Sequence, residues 1–171
     1  MNIHIRPARP HEAARLAAFA ARLFRETYSP TCRTEDVEAY AVEAFTEARQ
    51  QAELRDGVTL LAEVDGELAG YAQLRRGDAP AEVVGGRPLE IARFYVDSAW
   101  QGRGVAGEMM DAVLSAAAGW GCDVAWLGVW EENARAIRFY RRLGFTVVGS
   151  ASFRMGEDDQ RDHLMARAVA R

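Results

Sequence analysis

LEIARFYVDSAWQGRGVAGEMMDAVLSAAA, Leu89 to Ala118, encodes three elements in a row. Leu89–Val96 is apolar, with β-branched and aromatic residues, the pattern of a buried strand. Asp97–Arg103 has the composition of a turn. From Gly104 onward, Val105, Ala106, Met109, Met110, Val113, Leu114 and Ala117 recur at helical spacing. The loop Gln101-Gly102-Arg103-Gly104-Val105-Ala106 therefore opens a helix. Glycine at 102 and 104 removes side chains where a ligand would approach the backbone. A helix's first turn offers unpaired N–H groups and the positive end of its dipole, which together favour an anion. The loop reads as a diphosphate cradle or as a plain glycine turn before a helix, and taken alone it leaves both open.

The same residues spell Gly102-x-Gly104-x-x-Gly107, a dinucleotide fingerprint, and Glu131 follows the next strand roughly where an acid for the ribose belongs. The spacing argues against a nicotinamide-dependent oxidoreductase. In that fingerprint the first glycine makes the tight turn as the strand ends. Here five residues, Asp97 to Gln101, separate Val96 from Gly102, and only about forty follow Glu131, too few for the rest of a doubly wound sheet.

At 171 residues the chain suits one domain, residues 1–171, with a core of its own. Its apolar share of 49% and charged share of 27% are those of a globular protein. A net charge of −4 weighs against a nucleic-acid partner and tolerates a cationic one. All 21 basic residues are Arg. Cys32 and Cys122, and His4, His11 and His163, have no metal-ligand spacing, so no metal site is expected and the cysteines read as reduced thiols. No stretch reaches about 18 apolar residues, and Met1–Pro10 has no apolar run of signal-peptide length. A cytoplasmic protein with no membrane partner is expected. No G-x-S-x-G nucleophile elbow occurs.

In chain order, Asn2–Arg6 predicts a first strand, and Pro10 or His11 begins a helix to Tyr28 with Leu16, Phe19, Leu23 and Phe24 on one stripe. Thr34, read as an N-cap, opens a helical pattern to Arg55 with a break near Phe45-Thr46. Val58–Val64 and Glu67–Leu74 form a hairpin about Asp65-Gly66, and Arg75–Pro88 is a mobile Gly- and Pro-rich loop. After the central strand and helix come a strand at Val124–Val129 and a helix capped by Asn133 and ended by Gly144. That helix places Ala136, Ile137, Tyr140 and Leu143 on one face and Arg135, Arg138, Arg141 and Arg142 on the other. Phe145–Phe153 and Gln160–Val169 are the last strands. The order β, α, α, β, β, β, α, β, α, β, β predicts an α/β fold with helices on both faces of a mixed sheet.

Three motifs in this order resemble the GCN5-related N-acetyltransferase (GNAT) family. Gln101-x-x-Gly104-x-Ala106 is similar to its phosphate loop, and Asn133-x-x-Ala136 and Phe139-Tyr140-x-x-x-Gly144-Phe145 follow at the expected places. The resemblance implies a single-domain fold whose mostly antiparallel sheet of about seven strands splays at its centre. It implies acetyl-CoA as donor, no metal, and direct transfer to a primary amine. Backbone amides of Gln101, Gly102, Arg103, Gly104, Val105 and Ala106 would hold the pyrophosphate, with Arg103 adding a charge. The backbone of Phe94 to Val96 would pair with the pantetheine arm, Asn133 would hydrogen-bond that arm or simply cap its helix, and Tyr140 would protonate the departing thiolate. A non-catalytic acyl-CoA sensor is the rival from another class; binding alone needs neither Tyr140 nor Glu90.

For the base, Glu90 lies eleven residues before Gln101, and strand alternation sets it on the face of Ala92, Phe94 and Val96. Histone-acetylating members of the family place a catalytic glutamate at that spacing; other members use a water chain. A carboxylate on a mostly buried strand has a raised pKa, which suits a base. The segments LEIARFYV, WLGVWEENARAIRFYRRLGF and SFRMGEDDQRDHLMA resemble the bacterial spermidine/spermine branch, with Ala92 where that branch commonly has a second Glu. A polyamine acceptor is implied, with Glu26, Glu35, Asp36, Glu43, Glu131 and Glu132 as candidate contacts and Trp130 as a wall. A protein N-terminus, an amino acid and an aminoglycoside are the other acceptors, and a homodimer is compatible with the family.

Overall fold

The computed structural model describes residues 1–170. Strand β1 (Ile3–Pro7) leads through a 3₁₀ turn into α1 (Ala13–Tyr28), followed by α2 (Thr34–Ala44) and α3 (Glu47–Asp56). Strands β2 (Val58–Val64), β3 (Glu67–Arg76) and β4 (Pro88–Val96) come next, then α4 (Val105–Gly119), β5 (Val124–Trp130), α5 (Ala134–Arg142), β6 (Thr146–Met155) and β7 (Asp158–Ala168). One seven-stranded sheet results, ordered β1-β2-β3-β4-β5-β7-β6. Every neighbouring pair is antiparallel except the central β4–β5 pair. This is the expected mixed, mostly antiparallel α/β architecture.

Alternation along β2 and β3 decides which helices cover which face. Leu60, Ala62, Ala72 and Leu74 share a buried cluster with Val105, Met109, Met110 and Val113 of α4. Leu61 and Tyr71 share the other with Leu16, Ala20 and Phe24 of α1 and Val37 of α2. Gly70 lets α4 approach: a Cβ there would lie 2.8 Å from the Met109 sulfur and 2.7 Å from the Tyr95 carbonyl. Arg6 ties the open edge of the sheet to the entry of α1. Its guanidinium donates to both Glu12 carboxylate oxygens at 2.8 Å and to Glu63 at 2.7 and 3.1 Å. Those bonds hold the Glu12 carboxyl down at about 2.

A β-bulge in β4 reorders the centre. Gln73 pairs with Arg93 and Leu74 with Ile91, so Ala92 is the extra residue. Cross-strand partners share a face, and the bulge inverts the alternation. Glu90, opposite Arg75, joins Arg93 and Tyr95 on the α1 face, while Ile91, Phe94 and Val96 face α4. The expected common face for Glu90, Phe94 and Val96 is thus corrected, because strict alternation ignores the extra residue.

Other boundaries differ for local reasons. Arg33 occupies the cap position of α2 and Thr34 is its first residue, so Thr34 is not the cap. The helical stretch divides where Thr46 accepts a bond from the Arg49 N–H at 3.1 Å and starts α3. The Arg75–Pro88 loop, expected to be mobile, is pinned. Gly86 and Arg87 N–H groups donate to the Asp123 carboxylate at 3.1 and 3.0 Å, and Val83 is buried against Val124 and Ala166. Strands β6 and β7 meet in a tighter turn than expected, with Met155 paired to Asp158.

Candidate active site

The β4–β5 ladder runs Pro88↔Val124, Leu89↔Ala125, Glu90↔Trp126 and stops there. Both strands continue, β4 held by β3 as far as Val96 and β5 by β7 as far as Trp130. Each outer ladder keeps its strand while the inner one opens, so the sheet splits into a V. A cavity of about 730 Å³ occupies the split and reaches both faces: Gly102, Gly104 and Tyr140 line one end, Tyr28, Trp130 and Asp162 the other.

On the α4 face, Gly102 and Gly104 have φ values of +75° and +89°, the left-handed region that side chains disfavour. A Cβ on either would meet nothing within 4 Å. Backbone conformation, together with the open space in front of the loop, accounts for both glycines. The first backbone bond returning to the loop is Glu108 N–H to the Gly104 carbonyl at 3.1 Å. The Val105, Ala106 and Gly107 N–H groups thus have no backbone partner among the described residues. This geometry fits a diphosphate. Gln101 braces the loop by donating to the Val96 carbonyl at 2.8 Å and accepting from Arg135. The Val105 side chain is buried in the core, so only its backbone can serve a ligand. Arg103 lies over the Trp100 ring, 5.4 Å from its centroid, and does not line the cavity.

Phe94, Val96, Gln101, Ala106, Asn133 and Tyr140 line the cavity as the motifs implied. Asn133 caps α5, its side-chain oxygen accepting from the Ala136 N–H at 3.1 Å, and its amide nitrogen remains available to a ligand. Tyr140 sits among Phe139, Phe145 and Phe94, with ring centroids 5.4, 5.8 and 6.2 Å away. No hydrogen bond to its hydroxyl is found among the described residues, and burial pushes its pKa well above the ordinary phenol value. The group reaching the cavity is therefore a protonated donor.

Trp130, expected as a wall, and several residues not anticipated complete the lining. Arg135, Arg138 and Arg142 of α5 are exposed and line the mouth of the cavity, making the loop end cationic. At the α1 end stand Tyr28 and Trp130, 5.6 Å apart, with Tyr95 and Asp162. Burial pushes the Tyr95 phenol up to about 12. Of the six acids expected around the acceptor, Glu26 alone lines the cavity, bonded to Arg22 at 2.8 Å. Asp36 is buried and accepts from the Glu157 N–H at 2.9 Å. Glu131 lies 3.8 Å from Arg161. Glu35, Glu43 and Glu132 are exposed. Glu90 is not a lining residue. It sits on the last rung of the closed ladder, 3.9 Å from Arg75, with its carboxyl raised by burial. Among the described residues no cluster suited to a metal occurs, and no helix is long and apolar enough to cross a membrane.

The profile of the acetyltransferase (GNAT) family matches residues 18–145. An uncharacterised N-acetyltransferase of Mycobacterium bovis is 36% identical over 160 residues, covering 92% of this chain and 98% of the relative. The spermine/spermidine N(1)-acetyltransferase of Bacillus subtilis is 30% identical over 90 residues, 52% of this chain and 59% of that one. The crystal structure of the PaiA N-acetyltransferase from Thermoplasma acidophilum in complex with coenzyme A shares the fold. Its TM-score is 0.78 at 20% identity, over 98% of this chain and 99% of that one. A split sheet with a glycine loop on one side of the gap and a buried tyrosine inside it, together with these matches, places the chain in the GNAT family as an acetyl-CoA-dependent N-acetyltransferase.

Proposed function

We propose that the chain acetylates the primary amine of a small cationic acceptor, with a polyamine as the first candidate, and that donor and acceptor enter from opposite faces of the split sheet. One observation carries this: Tyr140 presents an unpartnered, protonated hydroxyl inside a cavity that opens on both faces. The unpaired N–H groups at the start of α4 and the arginines of α5 would hold the donor's phosphates, and the free edge of β4 would pair with the pantetheine amides. Acetyl-CoA supplies a thioester carbonyl to the middle of the cavity.

The acceptor arrives as an ammonium ion, with an ordinary amine pKa of about 10.4, and gives up a proton before its lone pair attacks the carbonyl carbon. A C–N bond forms and the C–S bond breaks. Tyr140 donates a proton to the departing sulfur and is restored from the proton the new amide nitrogen loses. One proton thus ends on the thiol and one in solvent. Support for a polyamine comes from the similarity to the Bacillus subtilis enzyme over about half of the chain and from Glu26 at the α1 mouth.

Thiol release from acetyl-CoA against spermidine, spermine, amino acids, an aminoglycoside and a peptide with a free N-terminus tests the reading. Release with the polyamines is expected. Release with another member of the panel alone replaces the acceptor and keeps the reaction. No release with any of them, alongside tight acetyl-CoA binding, makes the protein a sensor.

A further inference from the structure

We infer that Asp162 seats the acceptor's ammonium group and is the first receiver of its proton. This assignment rests on the acyl-transfer reading and goes beyond it by fixing where the acceptor docks. Asp162 lies on β7 opposite Trp130, half-buried, and lines the α1 end of the cavity. Other carboxylates around this end have arginine partners: Glu26 has Arg22 at 2.8 Å, Glu131 has Arg161 at 3.8 Å and Glu90 has Arg75 at 3.9 Å. The Asp162 carboxylate has neither a hydrogen bond nor an arginine partner among the described residues, in a chain with 21 basic side chains. An unpaired, half-buried carboxylate is costly to keep, and an arriving cation removes that cost.

Its surroundings are shaped for such a cation. Gly128, exposed on β5, leaves space where a Cβ would stand 3.2 Å from the Asp162 Oδ2 atom. The carboxylate therefore lies over Gly128 of β5, where it lines the cavity. Tyr28 of α1 and Trp130 of β5 supply aromatic walls, which favour an alkylammonium through ring faces and apolar area. The titratable groups around it are Tyr28 from α1, Tyr95 from β4, Glu131 beyond β5 and its neighbour His163. Burial pushes the Asp162 carboxyl up to about 6, His163 opposing and Glu131 adding to the rise. At pH 7.5 the group is an anion able to attract the ammonium, and its place beside the seated nitrogen makes it the first group the proton meets. The N–H bond breaks toward Asp162, the amine keeps the electron pair, and Asp162 later passes the proton to water at the α1 mouth.

The test has a readout that does not need turnover. In the CoA-saturated protein, the Asp162 side-chain carboxyl is followed by carbon-13 NMR against pH with n-butylamine, with neutral n-butanol, and with neither. A midpoint near 6 that falls to about 5 or below with the amine, and stays put with the alcohol, is expected. An unmoved midpoint overturns the assignment even if the enzyme acetylates amines. Conversely, a shifted midpoint in a protein that releases no thiol keeps the seat and defeats the acyl-transfer reading.

With an active amine, Asp162→Asn is expected to lose about 10²-fold or more in kcat/KM and the rise of kcat/KM through pH 6, with the acetyl-CoA Kd within about twofold. Retention of the wild-type value and profile overturns the assignment. The variant folds on this account. A carboxyl whose pKa is raised in the folded chain binds its proton more tightly there than when unfolded, so folded stability falls as pH rises from about 4 through 6. Asparagine removes that loss. Its Tm is expected to exceed wild type at pH 7.5 and to converge with it below about pH 4; a lower Tm at pH 7.5 makes Asp162 a structural partner and overturns its role as a free seat.

Discussion

The two ends of the cavity are assembled differently. At the α4 end, the loop from Gln101 to Gly107 supplies unpaired backbone N–H groups from one contiguous stretch, fixed by two glycines at positive φ and by the start of a helix. At the α1 end, Tyr28, Tyr95, Trp130 and Asp162 come from four elements, brought together only when the sheet closes around the bulge at Ala92. A nucleotide-bearing donor is recognised by backbone geometry, which tolerates sequence change outside a few glycines. On the proposed reading the acceptor meets side chains alone, so a handful of substitutions would redirect it without disturbing the donor end.

Tyr140 lines the α4 end of the cavity, and on the proposed mechanism its hydroxyl acts only in the transition state. Tyr140→Phe is expected to lower kcat about 10²-fold or more while the acetyl-CoA Kd stays within about threefold. Near-normal turnover would remove the hydroxyl from the chemistry and leave the cavity with binding ends and no shared centre. Gly104→Ala should act on the donor end alone. Alanine at φ +89° costs about 1–2 kcal/mol of backbone strain, and relief of that strain distorts the loop. The acetyl-CoA Kd should rise about five- to thirtyfold by calorimetry, with the acceptor KM little changed. Gly66→Ala, in the β2–β3 turn at φ +90° and equally unobstructed, is the matched control. Equal loss of acetyl-CoA affinity in both variants would show general destabilisation instead of a donor-site effect.

The same contrast explains what could be read from the sequence. The strand order, the glycine loop and the helix carrying Tyr140 follow from local spacing, and only the helical stretch after Thr34 divides further, at Thr46. Glu90 was misplaced because alternation was carried through β4 without interruption. The signal was present: Leu89 and Ile91 are apolar at odd positions and Phe94 and Val96 at even ones, the phase change a bulge produces. Helical periodicity groups the α5 arginines on one face but does not report that the glycine loop lies alongside. Asp162 gave no local signal at all. An acid near the start of a strand is ordinary, and only its register opposite Trp130, beside Gly128, puts it in the gap.

Ionic strength offers a milder probe of the acceptor end. Glu26 is exposed at the mouth and already paired with Arg22, so its attraction for a distal ammonium is the screened, exposed kind. Such a contact contributes about 0.2–1 kcal/mol. The KM for spermidine should rise with added salt by no more than about fivefold, and that of an amine with an uncharged tail should change less. Equal salt dependence for the two amines would place the distal charge away from carboxylates and weaken the polyamine assignment.

The smallest effect is expected at Glu90, and it bears most directly on the contrast between the two ends. Glu90 sits where the ladder is still closed, with Arg75 at 3.9 Å and Arg75 itself bonded to Glu53. Burial raises its carboxyl and Arg75 lowers it, so its charge is partly offset without any ligand. Glu90→Gln keeps the shape of the side chain and removes a charge that faces away from Phe94 and Val96. A change in kcat/KM within about threefold, the scale of a half-exposed ion pair, is expected, with the rise through pH 6 retained. The rise is retained because Asp162, not Glu90, supplies the titrating group facing the acceptor. A loss of about 10²-fold with a displaced pH limb would instead route the proton from the amine to Glu90 through water in the V. In that event the base lies at the apex of the split, and the α1 end recognises the acceptor without taking its proton.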